Sequence, residues 1–151
     1  MVDEERVKEI IKGVVEYNRC YLLSVEFKYH SSNKVYIKVI ADSMTGIDLR
    51  TLTEITKILR DDVEFNEAVQ LDYELEVSSP GVNWPLKERR DFVKHVGREL
   101  EIYHFIDSES SPVCGRLVEV GEDGIVLKTK KSGEKHFAYD EIDYGRVVLK
   151  W

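Results

Sequence analysis

Leu71-Asp72-Tyr73-Glu74-Leu75-Glu76-Val77-Ser78-Ser79-Pro80-Gly81 decides how the rest of the chain divides. Leu71, Tyr73, Leu75 and Val77 alternate with Asp72, Glu74, Glu76 and Ser78. Successive side chains of a strand point to opposite faces, so the first set is expected in a core and the second on a surface. Ser78-Ser79-Pro80-Gly81 stops the strand. Proline fixes φ at the second turn position and glycine accepts φ > 0 at the third, which predicts a type II turn. Pro85 stiffens the same connector further. The boundary is therefore expected near residues 80–86, between an N-terminal domain at 1–83 and a C-terminal domain at 84–151.

Upstream, Val7, Ile10, Ile11, Val14 and Val15 follow the spacing of a helix with one buried stripe over roughly residues 3–18, and Asp3, Glu4 and Glu5 suit its positive end. Tyr21, Leu23, Val25, Phe27 and Tyr29 alternate with more polar neighbours. After Ser31-Ser32-Asn33, Val35, Ile37, Val39 and Ala41 alternate again, which predicts a hairpin. Asp48 is placed to cap a second helix carrying Leu52, Ile55, Ile58 and Leu59 and ending near Asp61-Asp62. The N-terminal half thus reads αββαβ, with helices on one face of a small sheet. Downstream, Leu86, Phe92, Val93 and Val96 can line a short helix that Gly97 terminates. Segments 98–106, 113–120, 125–130, 134–138 and 145–150 are strand-like and separated by turn clusters. The fold class expected is α+β, with a C-terminal SH3-like or Sm-like small barrel.

Charge is unevenly distributed. Residues 1–85 carry 10 Lys+Arg against 16 Asp+Glu, and residues 86–151 carry 12 against 13. A net charge of −7 opposes indiscriminate wrapping of nucleic acid, whose affinity comes mostly from phosphate neutralisation. No window reaches the roughly 18 apolar residues that span a bilayer, and the acidic N-terminus is unlike a signal peptide, so a cytoplasmic location away from membranes is expected. Cys20 and Cys114 form no CxxC motif and read as reduced packing residues.

The residues offer little for catalysis. His30, His95, His104 and His136 lie scattered without the paired spacing a metal site needs. Ser78 and Ser79 lack a GxSxG elbow and read as turn formers. Asp72, Glu74 and Glu76 project from the face opposite the core, where a solvated or partner-facing stripe outweighs acid–base chemistry, since tuning a carboxyl needs burial. Phosphate-binding glycine loops are missing, and the N-terminal half has no GxxG clamp of the KH type. No enzyme, cofactor or metal is expected. Lys128, Lys130, Lys131 and Lys135 cluster around a hairpin, as an RNA phosphate contact or an ordinary solvated turn.

Tyr73-Glu74-Leu75-Glu76-Val77-Ser78-Ser79-Pro80-Gly81, followed by Pro85-Leu86, Asp91-Phe92 and Gly97-Arg98-Glu99, resembles the signature of the RimP family of bacterial ribosome maturation factors. That run is Tyr-x-Leu-Glu-Val-Ser-Ser-Pro-Gly-Leu-Asp-Arg-Pro-Leu. The resemblance extends to Val25-Glu26-Phe27 and Gly46-Ile47-Asp48-Leu49. It implies an α/β N-terminal domain, an SH3-like C-terminal barrel, and a non-catalytic role in maturing the small (30S) ribosomal subunit. It further implies binding to immature small subunits and to the basic small-subunit ribosomal protein twelve. The alternative is an RNA-binding module that contacts small-subunit rRNA through its barrel. Val82, Asn83 and Trp84 replace the family's Leu, Asp and Arg, so two charges of the linker are lost. Trp84 reads either as packing across the domain junction or as an exposed anchor for a partner, alongside Asp72, Glu74 and Glu76.

Overall fold

A computed structural model describes residues 1–149, which divide into two compact units between Pro80 and Gly81. In the first, helix α1 (Glu4–Tyr17) is capped by the Asp3 carboxylate, which accepts from the Arg6 N–H at 3.2 Å, and it buries Val7, Ile11 and Val15. Strands β1 (Tyr21–Ser31) and β2 (Lys34–Asp42) form the expected antiparallel hairpin, with Val25 opposite Val39 and Phe27 opposite Ile37. Asp48 caps α2 (Leu49–Asp61) by accepting from the Thr51 N–H at 2.8 Å. β3 (Asp72–Ser78) then pairs in parallel with β2, giving the order β1-β2-β3.

The αββαβ reading needs one correction. A third helix, α3 (Val63–Val69), lies between α2 and β3. Asp62 ends α2 and starts α3, its carboxylate accepting from the Phe65 N–H at 2.8 Å. Phe65, Ala68 and Val69 fall at i, i+3 and i+4 and are buried, but seven residues are too few to establish a helical period in sequence. The helices cover one face of the sheet, where Val35, Ile37, Val39 and Ala41 of β2 have no exposed surface.

The second unit is a five-stranded antiparallel, barrel-like sheet. Its strands are β4 (Glu99–His104), β5 (Val113–Val120), β6 (Gly124–Thr129), β7 (Gly133–Ala138) and β8 (Ile142–Val147), in the order β7-β6-β5-β4-β8. Leu86, Phe92, Leu100, Ile102, Leu117, Leu127 and Phe137 form the centre of its core. Leu86 is not helical. It exchanges both backbone hydrogen bonds with Gly145, at 2.9 and 2.6 Å, so the helix is reduced to α4 (Arg89–Phe92) and a 3₁₀ turn over Val93–His95. Gly97, at φ 94°, ends that segment as expected. Gly145 must lack a side chain, because a Cβ there would stand 2.9 Å from Phe92 Cε1 and 3.0 Å from Ile102 Cδ1.

The last strand begins earlier than the expected 145–150, and Lys150 lies outside the described residues. A register shift sets Tyr103 opposite Tyr144 and His104 opposite Ile142, leaving Asp143 as the extra residue. That extra residue hides the alternation. Cys114 is also not a packing residue: it lies exposed on β5, one position before Gly115, while Cys20 is half-buried. Among the described residues, no helix is long and apolar enough to cross a membrane.

Each unit has its own apolar cluster, so fragments 1–83 and 84–151 are each expected to unfold cooperatively when heated alone, followed by circular dichroism. His95 gives the second unit a pH dependence. The ring is buried, with Nδ1 unpartnered among the described residues, and desolvation together with the charges of Lys94 and Arg98 pushes it down to about 4, against the pull of Asp91. The native ring stays neutral while the unfolded chain takes up a proton below about 6.5. Stability is therefore expected to fall, by on the order of 2 kcal/mol, as pH drops from that value to about 4. Urea unfolding of the full chain and of His95→Gln across this range measures it, the variant lacking this part of the slope.

Candidate partner-binding surfaces

Parallel pairing fixes what the acidic face of β3 can meet. Lys34, Tyr36 and Lys38 of β2 lie opposite Asp72, Glu74 and Glu76, on the side of the sheet away from the helices. Lys34 Nζ reaches Glu74 Oε1 at 3.0 Å, the Tyr36 hydroxyl donates to Glu76 Oε1 at 2.8 Å, and Lys38 Nζ lies 4.0 Å from Glu76 Oε2. The hydrogen bond and charge of Lys34 hold the Glu74 carboxyl below its ordinary pKa, and the bond to Glu76 raises the Tyr36 hydroxyl. The stripe is thus a mixed-charge surface. Asp72 is exposed and makes no ion pair among the described residues. Lys34, Tyr36 and Lys38 were legible as the polar phase of β2, but their role depends on a strand pairing that periodicity does not specify.

The connector departs from the predicted type II turn. Ser78 ends β3, and Gly81 is not among the glycines with positive φ. The turn closes three residues later, where the Trp84 N–H donates to the Gly81 carbonyl at 3.0 Å across Val82-Asn83. Asn83, a residue that favours turns, takes the place expected of Gly81. Pro85 is exposed and Trp84 half-buried.

In the second unit, β5, the β6–β7 hairpin and the 109–115 segment enclose an open groove of about 1110 Å³. Lys128, Lys130, Lys131 and Lys135 all line it, so the structure brings the whole expected basic cluster to one place. It adds Arg116, which the β5–β6 register sets opposite Lys128. The hairpin tip is held by Thr129, whose hydroxyl donates to the Gly133 carbonyl and accepts from the Ser132 N–H, both at 3.0 Å. Glu99 and Glu109 bring negative charge, and Glu109 forms an ion pair with Lys135. Neither Arg116 nor Glu109 could be assigned from sequence, since only tertiary pairing brings them to the hairpin. Cys114 also lines the groove, its thiol pushed above the ordinary value by burial and by Glu101 and Glu99. No group of three or more potential metal ligands converges among the described residues.

These features define a two-unit α+β protein with two charged surfaces. Residues 10–83 match the family model of the RimP N-terminal domain, and the chain belongs to the RimP family, a family of ribosome maturation factors.

Replacing Glu74 and Glu76 together by glutamine is expected to leave the urea unfolding midpoint close to that of the wild type, because ion pairs this exposed are screened by water. Urea titration of the double variant is the measurement.

Proposed function

We propose that the chain is a non-catalytic, cytoplasmic assembly factor for the small (30S) ribosomal subunit. It binds immature subunits and a basic small-subunit ribosomal protein, protein twelve in the family's pattern. The observation that carries this reading is the RimP N-terminal domain over residues 10–83. The acid excess of the same half, 16 Asp+Glu against 10 Lys+Arg in residues 1–85, supports a basic partner.

Capture by this surface is an exchange of ion pairs. Lys34 and Lys38 already occupy Glu74 and Glu76, in exposed pairs that water screens, so an incoming cation displaces them at little cost. Arginine has the advantage, because its planar fork binds a carboxylate through two parallel hydrogen bonds where lysine supplies a point charge. Asp72 offers a first point of attraction. Such contacts accelerate encounter and select partners more than they hold them, so affinity needs apolar anchors, with Trp84 and Tyr36 the nearest in sequence and register.

Gradient sedimentation is expected to recover the protein with free and immature small subunits and not with translating ribosomes. Equal recovery in both fractions counts against the reading. The variant Asp72→Lys/Glu74→Lys is expected to associate about tenfold more slowly with the isolated basic protein at low salt, the difference shrinking as salt rises. Stopped-flow mixing across a salt series gives the rates.

A further inference from the structure

We propose that the groove of the second unit binds the sugar–phosphate backbone of single-stranded RNA, and that the chain's own Glu109 carboxylate occupies part of that site until a phosphate replaces it. The proposal rests on the small-subunit reading only for the source of the RNA, which is then rRNA.

The local sign of charge is the first argument. In a chain of net charge −7, the groove is lined, among the described residues, by five cations, Arg116, Lys128, Lys130, Lys131 and Lys135, against Glu99 and Glu109. The cations do not converge on one point. Arg116 and Lys128 face each other across the β5–β6 ladder, while Lys130 and Lys131 sit at the hairpin tip. A single phosphate would meet one or two of them, whereas a polyanion running along the groove meets them all. Polymer binding of this kind releases counterions and is the main source of affinity for nucleic acid. Ser110, Thr129 and Ser132 supply hydroxyls, and among the described residues no aromatic ring lines the groove. The lining therefore suits phosphate and sugar rather than stacked bases, and binding should depend little on sequence.

Glu109 is the second argument, because its position is built. The 105–112 loop is fastened by His104, whose Nδ1 accepts from the Ile106 N–H at 3.1 Å and whose Nε2 lies 2.8 Å from the Ser110 carbonyl oxygen. Those two contacts together require the neutral tautomer with its proton on Nε2. The His104 N–H also donates to Ser111 Oγ at 3.2 Å, and Ile106 packs on the core. Glu109 is thereby set beside Lys135 in a pair whose side chains are 29% and 31% exposed. A carboxylate against a half-buried lysine fills the place that a phosphate oxygen would take, and its removal should improve RNA binding.

The test uses the full chain and a fluorescein-labelled single-stranded RNA of mixed sequence, about 12 nucleotides long, read by fluorescence anisotropy over a salt series. The wild-type protein should bind with an affinity that falls linearly in log Kd against log salt. Glu109→Gln should tighten binding about fivefold and steepen the salt slope by about 0.7, one further cation being released to phosphate. Arg116→Gln/Lys128→Gln/Lys131→Gln should weaken binding at least about tenfold and flatten the slope by about 2. Circular dichroism melts establish that both variants are folded, and a gain in Glu109→Gln cannot arise from misfolding.

Absence of RNA binding in wild type and Glu109→Gln alike would overturn the proposal, as would a folded triple variant that binds like wild type. Unchanged affinity in Glu109→Gln would remove Glu109 from the site. Tighter binding to an RNA duplex, or equal displacement by polyglutamate, would assign the groove to another ligand. None of these readouts involves a ribosomal particle, so their failure leaves the sedimentation result standing, and failure of sedimentation leaves them standing.

Discussion

The parallel ladder between β2 and β3 is the constraint on which both faces of the N-terminal unit depend. It sets Val35, Ile37 and Val39 beside Tyr73, Leu75 and Val77 on the helical side, and Lys34, Tyr36 and Lys38 beside Asp72, Glu74 and Glu76 on the other. Side chains alternate strictly, so a slip of one residue would send β3's carboxylates into the core and its apolar residues into water. Burial thus fixes the register, and register fixes the charge pairs. Parallel pairing also demands a crossover, and α2 with α3 supplies it while covering the face that must be dry.

The second unit obeys the same rule with a different result. Across its outer face the ladders align Glu99, Arg116, Lys128 and Glu134 in one row, and Arg146, Glu101 and Cys114 in the next. Arg146 Nη2 bonds Glu101 Oε1 at 2.8 Å, and Tyr103 stacks on Tyr144 with ring centroids 4.5 Å apart. The irregularity between Tyr103 and His104 ends this order. Alternation along β4 sets His104 inward with Leu100 and Ile102, 5.4 Å from the Phe137 ring, and from there the imidazole holds the loop that carries Glu109. His104 therefore links the core to the rim of the groove.

Strands were the most legible elements because their signal is local. Leu71 to Val77 alternates without interruption, and β3 falls where that alternation places it. Helices α1 and α2 were legible for a similar reason, each having both an acidic cap and an apolar stripe. What escaped was set by short range or by long range. α3 is too short to display a period, and β8 was displaced because the extra residue Asp143 interrupts one. The turn after β3 was misplaced because Pro80-Gly81 satisfies the local rule for a type II turn, while the hydrogen bond forms from Trp84. The partners of the candidate residues were the least legible part. Lys34 for Glu74, Arg116 beside Lys128 and Glu109 for Lys135 are separated by many residues, and each meets its partner only through tertiary structure.

The two charged surfaces differ in their local balance of charge, and screening limits how far each one acts. At physiological ionic strength the field of an exposed charge fades within about 8 Å. Each surface is therefore governed chiefly by the charges that line it, Glu74 and Glu76 with Lys34 and Lys38 on the sheet, and the lysines with Arg116 in the groove. Net charge acts over longer distances in dilute salt, where −7 opposes unselective adhesion to RNA. RNA binding as proposed is then confined to the place where strand register gathers cations, Arg116 beside Lys128. On the proposed reading a ribosomal precursor presents basic protein beside RNA, and the β3 stripe and the groove answer to those two chemistries separately, each through the charges of its own strands.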